Sequence, residues 1–129
     1  MERIIKFRAK RIDNGEWVYG YYIAVAGTHK ILTSNPDSAS GATYYDVDAS
    51  TVGQFSGLQD RNGKEIFEDD ILKFDIGRDN VPLEVAVFKN GRFVTIDPQR
   101  PYRDDAICCF IDSIVVVGNI HDNLKLLNL

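Results

Sequence analysis

The dipeptide Asn-Gly occurs three times, at Asn14-Gly15, Asn62-Gly63 and Asn90-Gly91, each time between runs of strand-favouring residues. A type I′ turn needs positive φ at both central positions, which Asn tolerates and Gly adopts freely. This dipeptide between such runs therefore predicts a β-hairpin. Three hairpins within 129 residues set the expected class as mainly β.

The first hairpin joins IIKFRAKRI to EWVYGYYIAV. A strand alternates its side chains, so Ile5, Phe7 and Ala9 share one face and Lys6, Arg8 and Lys10 the other. On the returning strand Trp17, Tyr19 and Tyr21 oppose Val18, Gly20 and Tyr22. The third hairpin, VPLEVAVFKNGRFVTID, places Val85 and Val87 against Glu84, Ala86 and Phe88. Together with Asp70-Ile71-Leu72-Lys73-Phe74 it suggests a small SH3-like barrel beside a packed N-terminal hairpin.

Between Gly27 and Asp48 the pattern fades: Lys30 to Thr33 suit a short strand, and Ser34 to Thr43 are rich in turn formers. That segment reads as a loop, either mobile or a binding element. The apolar run Ile107 to Val117, interrupted by Asp112 and Ser113, predicts a strand either buried on both faces, the favoured reading, or covered by a partner subunit, with Cys108 and Cys109 as small hydrophobes inside it. The tail DNLKLLNL suits a short helix capped by Asp122 or Asn123, with Leu124 and Leu127 on one side. The expected organisation is one domain over 1–129, divisible into β subdomains at 1–50 and 51–129.

Composition narrows the functions. With 44% apolar and 26% charged residues the chain can form a core without staples. A net charge of -4 argues against a broad nucleic-acid or anionic-membrane surface. On an extended chain adjacent cysteines point in opposite directions, so Cys108 and Cys109 read as free thiols in a reducing cytoplasm. The N-terminus lacks a secretory pattern, and no apolar run reaches the roughly 18 residues of a membrane span. His29 and His121 have no Cys or acidic partner at zinc-ligand spacing. Glu65, Glu68, Asp69 and Asp70 cluster four carboxylates, but without the spacing of a calcium loop or a nearby nucleophile, and turn-holding is the favoured role. No cofactor is expected.

The run Val52-Gly53-Gln54-Phe55-Ser56-Gly57-Leu58, then Asp60-Arg61-Asn62-Gly63-Lys64-Glu65-Ile66-Phe67-Glu68 and Asp70-Ile71, resembles the signature of the YopX family of phage and prophage proteins. The opening Ile5-Lys6-Phe7-Arg8-Ala9 and the closing Val117-Gly118-Asn119-Ile120-His121-Asp122-Asn123 resemble that family's ends, in the same order. Asp69 stands where the family pattern has Gly. If positive φ is needed there, Asp adopts it at moderate cost. The resemblance implies a phage or prophage origin and a bacterial cytoplasm, and supplies no reaction or catalytic residue. Gly53, Gly57, Asp60, Gly63, Asp70, Gly118 and Asn119 carry the motif and read as structural.

Three function classes follow. The leading one is an accessory protein that binds a phage or host protein, or its own copies. The second is a nucleic-acid-binding module using Lys6, Arg8, Lys10, Trp17 and Tyr19, with Arg3 and Arg11 nearby, in which bases stack on rings and phosphates meet charges. An enzyme comes third, since no nucleophile, base and anion-stabilising group converge in the sequence.

Overall fold

The computed structural model describes residues 3–128, which form two compact units, one ending at Phe55 and the other beginning at Ser56. The strands are β1 (Phe7–Lys10), β2 (Trp17–Val25), β3 (Thr28–Ser34), β4 (Ala42–Asp46), β5 (Gly53–Gln59), β6 (Glu65–Phe67), β7 (Asp70–Phe74), β8 (Glu84–Lys89), β9 (Arg92–Ile96), β10 (Asp104–Ala106) and β11 (Ile114–Asn119). Three short 3₁₀ turns, at Ala49–Thr51, Ile107–Ser113 and Leu124–Leu127, are the helical elements among the described residues.

In the first unit the strands lie in the order β4-β3-β2-β1-β5, all neighbours antiparallel. Strand β2 changes partner at Gly20: Trp17 to Gly20 pair with β1, and Tyr21 to Val25 pair with β3. A Cβ at Gly20 would collide with the Leu32 carbonyl oxygen and reach 3.3 Å from Ile31 Cγ2, so the bend requires glycine. Ala9, Ile31 and Val47 form the core, with Phe7, Val18, Tyr22, Tyr45 and Val52 around them. The sheet curls until Arg11 bridges Val47 and the Ile12 N–H donates to the Asp46 carbonyl at 3.0 Å.

In the second unit β5 continues and pairs with β6, and a separate sheet runs β10-β9-β8-β7-β11. It is buried on both faces. Leu72 and Ala86 pack with Ile66, Ile107, Ile114 and Val116 on one side, and Ile71 and Val85 pack with Leu127 and Ile120 on the other. The expected separation of Val85 and Val87 from Ala86 holds, because Val87 lies with Val85.

Several expectations need correction. Two antiparallel sheets replace the SH3-like barrel, and neither closes. All three Asn-Gly sites join paired strands, but only Asn90-Gly91 has positive φ at both residues, at 53° and 79°. At Asn14-Gly15 and Asn62-Gly63 glycine alone is left-handed, in turns closed by bonds such as Gly63 N–H to Asp60 O at 3.0 Å. A hairpin absent from the sequence reading joins β2 to β3 through Ala26-Gly27, both at positive φ. The predicted 34–43 loop is the end of another hairpin. Its residues 35–41 are tied by Asn35 N–H to Gly41 O at 2.8 Å and by Ser38 Oγ, which donates to Ala42 O and accepts from Ala42 N–H.

The predicted strand from Ile107 starts only at Ile114. Before it, Ile107–Ser113 is a kinked 3₁₀ segment with Ile107 buried and Cys108, Cys109 and Phe110 exposed. The C-terminal helix is a single 3₁₀ turn that buries Leu127 and leaves Leu124 exposed. Asn123 precedes it without a side-chain cap; its Oδ1 instead accepts from the Asn119 N–H at 3.1 Å.

Candidate functional site

Alternation along β1 to β4 gives the first sheet a core face and an outward face. The register aligns Lys10 with Trp17 and Arg8 with Tyr19, and sets Tyr21, Leu32 and Tyr44 in one row across three strands. All five residues proposed from sequence for nucleic acid thus share a face. They are not equally presented. Arg8 is 7% exposed, its guanidinium 4.7 Å from the Trp17 ring centre, and Lys10 Nζ lies 5.5 Å from the same ring. Lys6 Nζ lies 5.1 Å from the Phe55 ring. These cations are engaged with aromatic faces of their own chain rather than forming the solvated row that alternation alone suggests.

What the face presents to solvent is tyrosine: Tyr19 is 47% exposed, Tyr21 66% and Tyr44 56%. Tyr21 keeps the face that alternation gives it with Trp17 and Tyr19, and Tyr44 joins them through β3 and β4. Tyr44 is not legible from sequence because β4 follows directly on the turn formers of Ser34 to Thr43.

Beside Tyr44 opens a cleft of about 590 Å³, lined by Arg11, Asp13, His29, Tyr44, Tyr45 and Asp46 among others. The Arg11 guanidinium lies 4.2 Å from the Tyr45 ring centre and binds both oxygens of Asp13, at 2.9 and 2.6 Å. That hydrogen-bonded pairing raises the guanidinium and lowers the carboxyl from their ordinary values. Lys30 binds Asp46 at 2.8 Å, and His29 Nδ1 shares a 2.6 Å hydrogen bond with the Tyr22 hydroxyl. The wall charges are thus matched in pairs.

The edge of β4 is largely blocked. The His29–Val47 and Asn35–Gly41 bonds point the odd-numbered residues' backbone groups inward to β3, so Ala42, Tyr44 and Asp46 face outward. Ser38 occupies Ala42 and Ile12 takes the Asp46 carbonyl, which leaves little room for an added strand.

The glycine-rich motif of the sequence holds turns. Asp60 is 6% exposed and accepts from the N–H groups of Asn62 (2.8 Å), Lys64 (2.9 Å) and Val116 (2.9 Å). Burial pushes its pKa up, but the three donors outweigh burial and hold it below the ordinary carboxylate range. Asp70 is 1% exposed and accepts from the Phe67 N–H at 2.7 Å. Gly57 and Gly63 have φ of 84° and 85°, Gly53 pairs with Arg8, and a Cβ on Gly118 would meet the Asn123 side chain. Asn119 Oδ1 accepts from the His121 and Asp122 N–H groups. Asp69 adopts φ 72° and places a carboxylate oxygen 2.9 Å from His121 Nε2. Among the described residues no three His, Cys, Asp or Glu side chains converge as metal ligands, and no helix is long and apolar enough to cross a membrane.

A family model described as YopX protein matches residues 6–128. The fold resembles a crystal structure of protein EF1440 from Enterococcus faecalis, with a TM-score of 0.62 and 23% identity over 98% of this chain and 99% of that one. No curated protein matches.

Proposed function

The chain belongs to the YopX family, and we propose that it acts by binding a protein partner through the tyrosine face of its first unit, without catalysing a reaction. The partner is a protein of the phage or of its bacterial host, met in the cytoplasm. The observation that carries this reading is the exposure of Tyr19, Tyr21 and Tyr44 on one sheet face beside a charge-balanced cleft. Tyrosine presents a large amphipathic area with only two side-chain torsions to fix, which is why it is enriched where proteins meet.

Binding to single-stranded nucleic acid is the second reading, favoured by cations interleaved with rings on the same face. It ranks lower because those cations already lie over rings. In addition, the sequence through Phe55 carries six Lys and Arg against six Asp and Glu, so the unit has no net positive field.

Exchange of Tyr21 and Tyr44 for Ser tests the leading reading. The double variant should keep its thermal midpoint and lose the protein, or the second copy, that co-purifies with the wild type. Retention of that partner refutes it. Titration with single-stranded DNA and RNA at about 50 and about 200 mM salt separates the second reading, because binding through several phosphates loses orders of magnitude over that range.

A further inference from the structure

Cys108 and Cys109 differ from the sequence expectation in two respects: both are exposed, and both lie on a 3₁₀ segment rather than a strand. On a strand, neighbouring side chains diverge by half a turn. In a 3₁₀ turn with about three residues per turn they diverge by only about a third, on the same side of the segment. Interaction with the neighbouring Cys108 thiol is the main cause that raises the Cys109 pKa. Buried Ile107 anchors the segment before the pair, and Phe110 after it packs edge-on against Phe74 at 5.7 Å. Arg92 supplies a nearby positive charge, with Asp105 acting in the opposite sense.

We propose that Cys108 and Cys109 form a dithiol site for a thiophilic trivalent metalloid, of the class of trivalent arsenic, held through both sulfurs. A direct disulfide suits the pair poorly. A trans peptide fixes adjacent Cα atoms about 3.8 Å apart, below the 4.4 Å or more usual for disulfides, whose sulfurs must come to about 2.05 Å. A bridging centre bonded to each sulfur at about 2.3 Å, as zinc is, keeps the sulfurs on the order of 3.5–4 Å apart and so avoids the close approach that a disulfide demands. With phenylarsine oxide two As–S bonds form, and the arsenic-bound oxygen leaves as water carrying both thiol protons. No atom changes oxidation state, so no oxidant or reductant is required.

The test treats the full chain with phenylarsine oxide and reads intact mass and free thiols. One adduct per chain should consume both thiols, resist excess 2-mercaptoethanol and be removed by 2,3-dimercaptopropanol. Cys108→Ser and Cys109→Ser should each weaken binding about 100-fold, because the second sulfur then no longer acts intramolecularly. Both positions are exposed, and unchanged circular dichroism verifies folding of the variants. Two adducts per chain, or a wild-type adduct as sensitive to monothiol as those of the variants, would overturn the assignment.

Discussion

Asp60 ties together two parts of the second unit that are far apart in sequence. Its Oδ1 holds the Asn62-Gly63 turn through two N–H groups, and its Oδ2 holds Val116, 56 residues away on β11. A hydrogen bond to a charged group contributes about 1.5–3 kcal/mol, and a buried donor left unsatisfied costs about 1–3 kcal/mol. Asn62 and Lys64 are exposed, so water replaces part of their loss, whereas the Val116 N–H is buried. Asp60→Ala should therefore cost about 3–4 kcal/mol, a lowering of the thermal midpoint by roughly 10 °C.

Asp60→Asn keeps an oxygen for the turn but sets an amide NH₂ against the Val116 N–H, and should cost about 2–3 kcal/mol. The folded-state pKa of Asp60 lies below its unfolded value. The aspartate's contribution is thus present above the unfolded value near 3.9 and disappears as pH falls through the folded value. Urea unfolding by far-UV circular dichroism, at neutral pH and stepwise into acid, reads both effects. Equal stability of the wild type and Asp60→Asn at pH 7, or a gap between them that stays constant into strong acid, would refute the reasoning.

Gly20→Ala should destabilise the first unit by about 3 kcal/mol, since its Cβ meets backbone rather than a movable side chain; Trp17 fluorescence on denaturation measures this. At Asp69, φ 72° penalises a Cβ, so Asp69→Ala should be less stable than Asp69→Gly by about 1 kcal/mol in chemical denaturation. Leu127→Ala uncovers Ile71 and Val85 and should cost about 2–3 kcal/mol by the same assay, while Leu124→Ala, at an exposed position, should change little.

The sequence was most informative where a single residue dictates backbone geometry. The Asn-Gly pairs located three hairpins, and the motif residues located the turns that Asp60 and Asp70 hold. Asp69 in the place of glycine pointed to a left-handed residue, which the structure contains. The β2–β3 hairpin was illegible because its turn puts Ala26 at positive φ, where alanine is uncommon. Without that turn, β4 looked like part of a loop, and the row of Tyr21, Leu32 and Tyr44 could not be assembled. At Ile107–Ser113 a run of apolar residues fits strand or tight helix equally. The structure buries Ile107, half-buries Ile111 and exposes the three residues between them. A strand's strict alternation would not do this.

Light-activated crosslinking from the tyrosine face tests the binding proposal most directly. A benzophenone amino acid replaces Tyr21 in one variant and Tyr102, 79% exposed in the second unit, in another, and both are irradiated in the bacterial host. Binding of a protein through the tyrosine face predicts a discrete protease-sensitive adduct from position 21 and none of that mass from position 102. Equal adducts from both positions, no adduct from position 21, or an adduct there that nuclease removes would contradict it.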